Sequence, residues 1–261
     1  MPGQRSEIPF GPILERLPDG EIEQVQIGLR WTAVVSRSSH GRRCGLATTR
    51  RINPGHGRDL LPESGNLHSL SAAELALGIL EHAHPLMHSV AVATINSLLP
   101  APEKVEKTAD AEALLASMGA GRRVTVVGHF PFTDRLRGKV GHLDVLEKDP
   151  RDGDLPAEAA KDILPESDVI AITALTLLNG TFDDLRARAP NDAIVMMLGP
   201  STPLSPILFD YGIDYLAGSV VENIDAVIAG VAQAAGYRQL HKLGIQKVMI
   251  KASSREGSME R

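Results

Sequence analysis

The sequence contains a single cysteine, Cys44, among its 261 residues. One cysteine cannot form a disulfide within the chain, and it cannot supply the several thiolates that a cysteine-based metal cluster needs. Cys44 lies in a strand-like segment, where its simplest role is that of a small buried side chain. The sequence therefore excludes a disulfide framework and a thiolate cluster built from one chain.

Aromatic residues and basic charge are also scarce. Phe, Trp and Tyr make up 3% of the chain, and the formal net charge is −5 at pH 7. Proteins that bind nucleic acids usually combine a basic surface with aromatic side chains on which bases stack. We therefore expect no nucleic-acid partner, and a core built from Leu, Ile, Val and Ala.

No long apolar run occurs in the sequence. A membrane-spanning helix needs about 20 predominantly apolar residues, and a secretory signal needs a shorter apolar run near the start of the chain. Because neither is present, we expect a soluble cytoplasmic protein with no membrane partner. With 43% hydrophobic and 23% charged residues, the chain is long enough for one large or two ordinary globular domains.

The first hundred residues contain closely spaced strand patterns followed by two helix patterns. Three short segments predict an antiparallel meander at 23–29, 31–35 and 44–49. Ser71 and Glu74 have the spacing of a helix-capping box, and a second helix pattern covers 85–98. We predict an N-terminal α+β domain over residues 1–100, which ends in a proline-rich linker at 99–104.

From residue 101 onward, strand patterns alternate with helix patterns. Apolar segments predict strands at 124–127, 143–146, 169–172, 193–198 and 215–217. Helix patterns cover 181–188 and 222–235, and Thr181 with Asp184 has the spacing of another capping box. This alternation predicts a parallel sheet covered on both faces. The predicted fold class is therefore α/β, with an α+β domain followed by a Rossmann-like parallel-sheet domain over 101–261.

Unusual residues cluster after the carboxyl ends of the predicted strands in the second half. The clusters begin at Gly128, Glu147, Thr173 and Gly199, and the last of them, GPSTPLSP, carries three prolines and three hydroxyls. In an open parallel sheet these strand ends line one crevice, where ligands bind. We therefore predict ligand contacts from His129, Phe130, Thr176, Asn179, Gly180, Thr181, Gly199, Ser201 and Thr202.

The same segments resemble a known family. The chain is similar to the heavy-metal chelation family, whose molecular function is unknown, at Glu147 and in GHFPF (128–132), GDLP (153–156), DVIAITALTLLNGT (168–181), GPSTPLSP (199–206) and LFDYGIDYLAGSVVEN (208–223). The resemblance implies an N-terminal domain similar to that of enolase, followed by a Rossmann-like domain. It also implies a chelation role and a ligand site in the cleft between the two domains.

Imidazole and carboxylate side chains near the predicted crevice suit a divalent metal ion. The candidate ligands are His129, Glu147 and Asp154. Nitrogen and oxygen ligands favour a borderline or hard ion over a thiophilic one. Alternatively, the acidic run 149–156 is a solvated turn, and His129 caps a loop. Helices that begin after Thr181 and Ser205 would favour an anion, because helix N-termini carry positive partial charge.

A second group of histidines precedes and enters the helix predicted at 85–98. His84 and His88 have the i, i+4 spacing that can place two metal ligands on one helical face. Pro85, however, indicates that a helix boundary falls between them. The alternative for these two residues and His82 is a histidine-rich helix end at the surface.

Other site chemistries fit the sequence less well. A classical NAD site is disfavoured because GHFPF lacks the glycines of GxGxxG, although the spacing from Gly128 to Glu147 suits a ribose-binding acid. The P-loop motif does not occur in the sequence, and segment 199–203 departs from the hydrolase motif G-x-S-x-G at its last position. Another nucleotide or S-adenosylmethionine stays open as a ligand.

Two functional hypotheses follow from the sequence. The first is a protein that binds a divalent metal ion or a metal-chelating small molecule between its domains. The second is an enzyme that acts at the same cleft on a nucleotide, S-adenosylmethionine or a small anionic substrate, with His129 or Glu147 as the acid–base group. In either case the expected partner is a small molecule or a metal ion, and a homo-oligomer is compatible with the sequence.

Overall fold

The computed structural model describes residues 10–50, 61, 63–82, 84–102 and 110–253. The strands there are β1 (Gly20–Ile27), β2 (Trp31–Ser38), β3 (Gly41–Thr48), β4 (Arg123–Val127), β5 (His142–Glu147), β6 (Leu155–Pro156), β7 (Val169–Thr173), β8 (Ile194–Leu198), β9 (Tyr215–Val221) and β10 (Ile245–Lys251). The α-helices are α1 (Phe10–Leu14), α2 (Ala72–Glu81), α3 (Pro85–Leu98), α4 (Ala111–Met118), α5 (Thr133–Leu136), α6 (Ala160–Ile163), α7 (Leu175–Asn179), α8 (Phe182–Arg188), α9 (Ile224–Ala232) and α10 (Tyr237–Lys242). Short 3₁₀ helices cover Leu67–Ser69, Ala157–Ala159, Leu164–Glu166 and Pro206–Tyr211.

The first three strands form the predicted antiparallel meander, in the order β1-β2-β3. Helix α3 packs on this sheet, and twelve of its 14 residues are buried. A helix that is apolar nearly all round must lie inside the molecule. The contact with β3 is close at Gly45, where a Cβ atom would collide with the carbonyl oxygen of Ala93 and the amide nitrogen of Ser97.

The second sheet has seven strands in the order β6-β5-β4-β7-β8-β9-β10. The six strands from β6 to β9 are parallel, and β10 is antiparallel to β9. Numbered along the chain, the parallel strands have the order 3-2-1-4-5-6 of the doubly wound nucleotide-binding folds. The order reverses between β4 and β7, and a ligand crevice is expected outside the carboxyl ends of these two strands.

The predicted fold class is confirmed, with two differences in detail. The predicted sheet was entirely parallel, whereas β10 adds an antiparallel edge strand that the sequence interpretation missed. The sequence interpretation also missed the two-residue strand β6 and the short helices α1, α4, α5, α6, α7 and α10, because short segments give a weak periodic signal. The domain boundary near residue 100 stays a prediction, and residues 103–104 of the predicted linker lie outside the described residues.

The two sheets share a hydrophobic core. One continuous cluster of buried side chains extends from Phe10 and Val34 in the N-terminal part to Ile172 and Ile250 in the seven-stranded sheet. Helix α3 lies at the centre of this arrangement, because it contacts both β3 and α7. No helix in the described ranges combines the length and the apolarity that a bilayer crossing requires.

The two predicted capping boxes differ in outcome. Ser71 and Glu74 form the box at the start of α2, with each side chain bound to the other residue's backbone N–H. At the start of α8, Thr181 makes no capping bond, because its hydroxyl donates to Asn179 at 2.6 Å. Asp184 instead pairs with Arg188, so this box is absent.

Candidate functional site

A cavity of about 280 Å³ lies at the reversal point of the seven-stranded sheet. The ends of β4, β5 and β7 contribute to its wall, together with α7 and the start of α8. Its described lining residues are Val127, Gly128, His129, Phe130, Leu146, Glu147, Lys148, Ala157, Ala160, Thr173, Leu175, Thr176, Asn179, Thr181, Asp184 and Leu185. All of these belong to the second half of the chain, whereas the sequence placed the site in a cleft between two domains.

His129 enters the cavity wall from the turn that follows β4. Gly128 has a positive φ of 100°, which allows the chain to turn sharply there. The imidazole Nδ1 lies 3.0 and 3.2 Å from the carboxylate oxygens of Asp154. Because a carboxylate only accepts hydrogen bonds, Nδ1 carries the hydrogen, and Nε2 of the neutral ring keeps its lone pair.

Asp154 is a fixed partner for this ring. Its side chain is fully buried, and that of His129 is 10% exposed. Asp154 also accepts a hydrogen bond from the backbone N–H of Arg151. Nε2 of His129 makes no hydrogen bond with the described residues, so it is available to a ligand in the cavity.

Glu147 is used to hold the turn that carries His129. One of its oxygens accepts the backbone N–H of His129, and the other accepts the backbone N–H of Lys148, both at 2.9 Å. Within the described residues, no group of three or more His, Cys, Asp or Glu side chains is arranged to hold a metal ion. The structure thus brings together the three candidate metal ligands, but as a hydrogen-bonded cluster around His129.

Helix α7 and the turn that joins it to α8 also contribute polar groups to the lining. Oδ1 of Asn179 accepts hydrogen bonds from the backbone N–H and the hydroxyl of Thr181, at 3.1 and 2.6 Å. The hydroxyl of Thr176 donates to the carbonyl oxygen of Thr173. Gly180 does not line the cavity, but its φ of 72° ends α7 and permits this turn.

The proline-rich segment after β8 lies elsewhere. Gly199, Ser201 and Thr202 are not among the lining residues of the cavity. The hydroxyl of Ser201 accepts a hydrogen bond from the backbone N–H of Thr48 at 2.8 Å. The backbone carbonyl oxygen of Ser201 lies 3.4 Å from the side-chain amide nitrogen of Asn96. The structure therefore places the buried turn 199–202 against β3 and α3, where it joins the two sheets.

The histidines around Pro85 lie at a helix boundary, as predicted. Pro85 is the first residue of α3, and His84 precedes it. His88 is buried, with Nε2 2.7 Å from the carbonyl oxygen of His82 and Nδ1 3.0 Å from that of Leu178. Both ring nitrogens thus have partners inside the protein, and His88 contacts the helix that carries Asn179.

Some lining residues were not predicted. Lys148 directly follows Glu147, so the rule that identified strand ends could have found it. The apolar residues of the wall, including Ala157, Ala160 and Leu185, lie on helices whose sequences look like ordinary packing segments. Only the tertiary structure brings them to the cavity.

Comparison with known proteins assigns the family. Two family models, each described as "Putative heavy-metal chelation", match residues 110–250 and 12–99. The chain belongs to this family. The model that covers residues 110–250 is that of the DUF364 family. A protein with unknown function from this family, from Desulfitobacterium hafniense, has a crystal structure and is 28% identical to this chain. The two structures match with a TM-score of 0.79 over 93% of this chain and 97% of that one.

Two further similarities are more distant. A DUF364 protein of unknown function from Pyrococcus horikoshii has the same fold, with 20% identity and a TM-score of 0.79 over 93% of this chain and 98% of that one. An uncharacterised protein from Methanocaldococcus jannaschii is 26% identical over 157 residues, which are 58% of this chain and 57% of that protein. The match thus spans little more than half of this curated relative.

Proposed function

We propose that this protein binds a metal ion that arrives with a small chelating molecule, and that the cavity beside β4 holds this complex. The observation that carries the proposal is the His129–Asp154 pair. A buried carboxylate holds the imidazole in one orientation and one tautomer, which is the usual support for a metal-binding histidine. Nε2 of His129 would bind the metal.

The surrounding side chains favour a metal chelate over a bare ion. A protein site for a bare divalent ion normally supplies three or more ligands, and the described residues offer no such group. His129 can provide one ligand, so the remaining ligands would belong to the bound molecule. A cavity of about 280 Å³ with apolar walls leaves room for one. The family description, heavy-metal chelation, supports a metal in the ligand.

The test compares His129 with a matched histidine at the surface. In His129→Gln, the side-chain amide can still donate to Asp154, so the buried carboxylate keeps a partner. The control is His142→Gln, because His142 lies 3.2 Å from Asp144 but is 57% exposed. Native mass spectrometry and elemental analysis of freshly purified, untagged protein would identify any bound metal and chelator.

We expect a metal chelate on the wild type and on His142→Gln, and its loss from His129→Gln, while the three ligand-free proteins have the same melting temperature. A nickel nitrilotriacetate complex, added to purified protein, should follow the same order in calorimetry. Equal binding by all three proteins would overturn the proposal. Binding of free Ni²⁺ through three protein ligands, if it persisted in His129→Gln, would also overturn it.

The strand order favours a second candidate function. Glu147 ends the strand next to β4, the place of the ribose-binding acid in the doubly wound nucleotide-binding folds. An enzyme acting on a nucleotide, on S-adenosylmethionine or on a small anionic substrate would use this crevice with His129 as the acid–base group. Stabilisation by these compounds but by no metal complex, in a thermal-shift series, would favour the enzyme.

A further inference from the structure

The side-chain amide of Asn179 has an orientation that its neighbours determine. Its oxygen accepts two hydrogen bonds from Thr181, one of them from a backbone N–H, which can only donate. The amide nitrogen must therefore occupy the other position. Nδ2 makes no hydrogen bond with the described residues, and Asn179 lines the cavity. Asn179 thus offers a ligand two N–H donors and no free oxygen.

The other hydroxyl and carboxyl groups of the lining act as acceptors. The hydroxyl hydrogens of Thr176 and Thr181 are already donated to protein oxygens. Asp184 is an acceptor that Arg188 already binds. Glu147 accepts two backbone N–H groups. Among the described lining side chains, the groups that can donate to a ligand are therefore Nδ2 of Asn179, the ammonium of Lys148 and the hydroxyl of Thr173, which accepts the backbone N–H of Leu175.

We propose that Asn179 selects a chelator that carries a carboxylate or carbonyl oxygen, which accepts a hydrogen bond from Nδ2 while His129 binds the metal. This inference rests on the proposed function. Lys148 adds a positive charge at the same cavity, which favours a carboxylate. A chelator built only from amines would leave the donors of Asn179 without an acceptor, and an unpaired donor in a partly buried site costs binding energy.

Two variants of Asn179 test whether its N–H donors, rather than the fold of the turn or a change of charge, determine which chelator binds. Asn179→Asp keeps an oxygen for Thr181 but replaces the NH₂ group with an acceptor. Asn179→Leu removes the donor without adding charge. The control is Asn223→Asp, because Oδ1 of Asn223 also accepts a backbone N–H, that of Ala226, at the start of α9. Asn223 is absent from the cavity lining.

The probes are two nickel complexes that both leave coordination positions open for an imidazole. Nitrilotriacetate presents carboxylate oxygens, and tris(2-aminoethyl)amine presents only amine groups. Isothermal titration calorimetry with untagged protein would give both dissociation constants. We expect the wild type and Asn223→Asp to prefer the nitrilotriacetate complex by about tenfold or more, the usual effect of one charge-assisted hydrogen bond. Asn179→Asp and Asn179→Leu should each reduce this preference by about tenfold, because the contribution of Lys148 stays.

The His129→Gln variant distinguishes a failure of the role assigned to Asn179 from a failure of the proposed function. If it weakens binding of both complexes while the Asn179 variants keep the wild-type preference, the assignment of Asn179 is wrong and the proposed function stands. If His129→Gln binds both complexes as the wild type does, the proposed function itself is wrong. A wild type that shows no preference overturns the inference, and a wild type that binds neither complex counts against both proposals.

Discussion

His129 and His142 have the same kind of partner but different surroundings. Nδ1 of His129 lies 3.0 Å from a carboxylate oxygen of Asp154, and Nε2 of His142 lies 3.2 Å from a carboxylate oxygen of Asp144. The pair in the cavity is almost completely buried, whereas the ring of His142 is mostly in solvent. Burial strengthens the electrostatic interaction and restricts the ring to one orientation. For this reason His129 is prepared to bind a ligand, and His142 serves as its control.

Replacing the buried carboxylate tests this difference directly. Asp154→Asn keeps the size of the side chain and an oxygen for Nδ1, but it removes the negative charge. We expect the affinity for nickel nitrilotriacetate to fall by about 10- to 100-fold, the usual effect of losing the residue that supports a metal-binding histidine. Asp144→Asn should leave the affinity unchanged. Calorimetry on both variants would settle the matter, and equal affinities would contradict a supporting role for Asp154.

Cys44 takes no part in this chemistry. The thiol is buried in β3, and burial raises its pKa to about 12. A thiolate, the form that binds metals, is therefore absent at neutral pH. The burial confirms the sequence-based interpretation of Cys44 as a small buried side chain.

At the scale of elements, the segment between β4 and β5 positions His129. Phe130 and Phe132 stack with ring centroids 5.3 Å apart, and the backbone N–H of Phe130 donates to the hydroxyl of Thr133 in α5. Glu112 of α4 binds Arg135 of α5 through three contacts of 2.6 to 3.1 Å. Helix α4 thus supports the short helix that follows the His129 turn.

This ion pair has a predictable pH dependence. Arg135, and then Lys139, lower the pKa of Glu112 to about 2. Since the folded-state pKa lies below the usual value of about 4.3, the carboxylate stabilises the fold above pH 4.3, and this contribution is lost as the pH falls toward 2. Glu112→Gln should lower the free energy of unfolding by about 1 kcal/mol or less at pH 7, because the side chains of Arg135 and Lys139 are 54% and 51% exposed.

Urea denaturation at several pH values checks this prediction. The difference between wild type and Glu112→Gln should shrink steadily between pH 5 and pH 2. Asp134→Asn provides the comparison, because Asp134 lies in α5 beside Arg135 and its ion pair with Arg137 has a long distance of 4.0 Å. A difference that stays constant with pH would show that Glu112 acts through packing rather than charge.

The sequence predicted the parts of the fold and site that depend on local pattern. Apolar segments ending in glycine or polar residues identified β4, β5 and β7, and strand-end geometry then predicted that His129, Glu147 and Asn179 would lie near one another. The same rule assigned Ser201 and Thr202 to the ligand, yet neither lines the cavity, and the hydroxyl of Ser201 accepts the backbone N–H of Thr48 in β3. Both roles call for buried hydroxyls on a rigid turn, and local sequence does not distinguish a ligand from another part of the same chain.

At the scale of the whole molecule, the N-terminal part contacts the helix that carries the candidate specificity residue. The guanidinium of Arg50 donates to the carbonyl oxygen of Leu178 at 2.8 Å, and the ring of His88 lies 3.0 Å from the same oxygen. Carbonyl groups in the last turn of a helix have no partner within the helix, and a cation there is favourable. Arg50 therefore stabilises the end of α7, one residue before Asn179.

Removing this contact should loosen α7 while leaving the His129–Asp154 pair in place. Arg50→Met keeps an apolar stem but loses the charged donor, whose hydrogen bonds are usually worth about 1.5–3 kcal/mol. We expect amide hydrogen exchange in residues 175–181 to become at least about tenfold faster, and nickel nitrilotriacetate to bind several-fold more weakly because Asn179 is less well positioned. Arg37→Met, at an exposed arginine paired with Glu23, should change neither quantity. Unchanged exchange in Arg50→Met would mean that the Arg50 hydrogen bond does not hold α7, so that the N-terminal part would have no influence on the cavity through this contact.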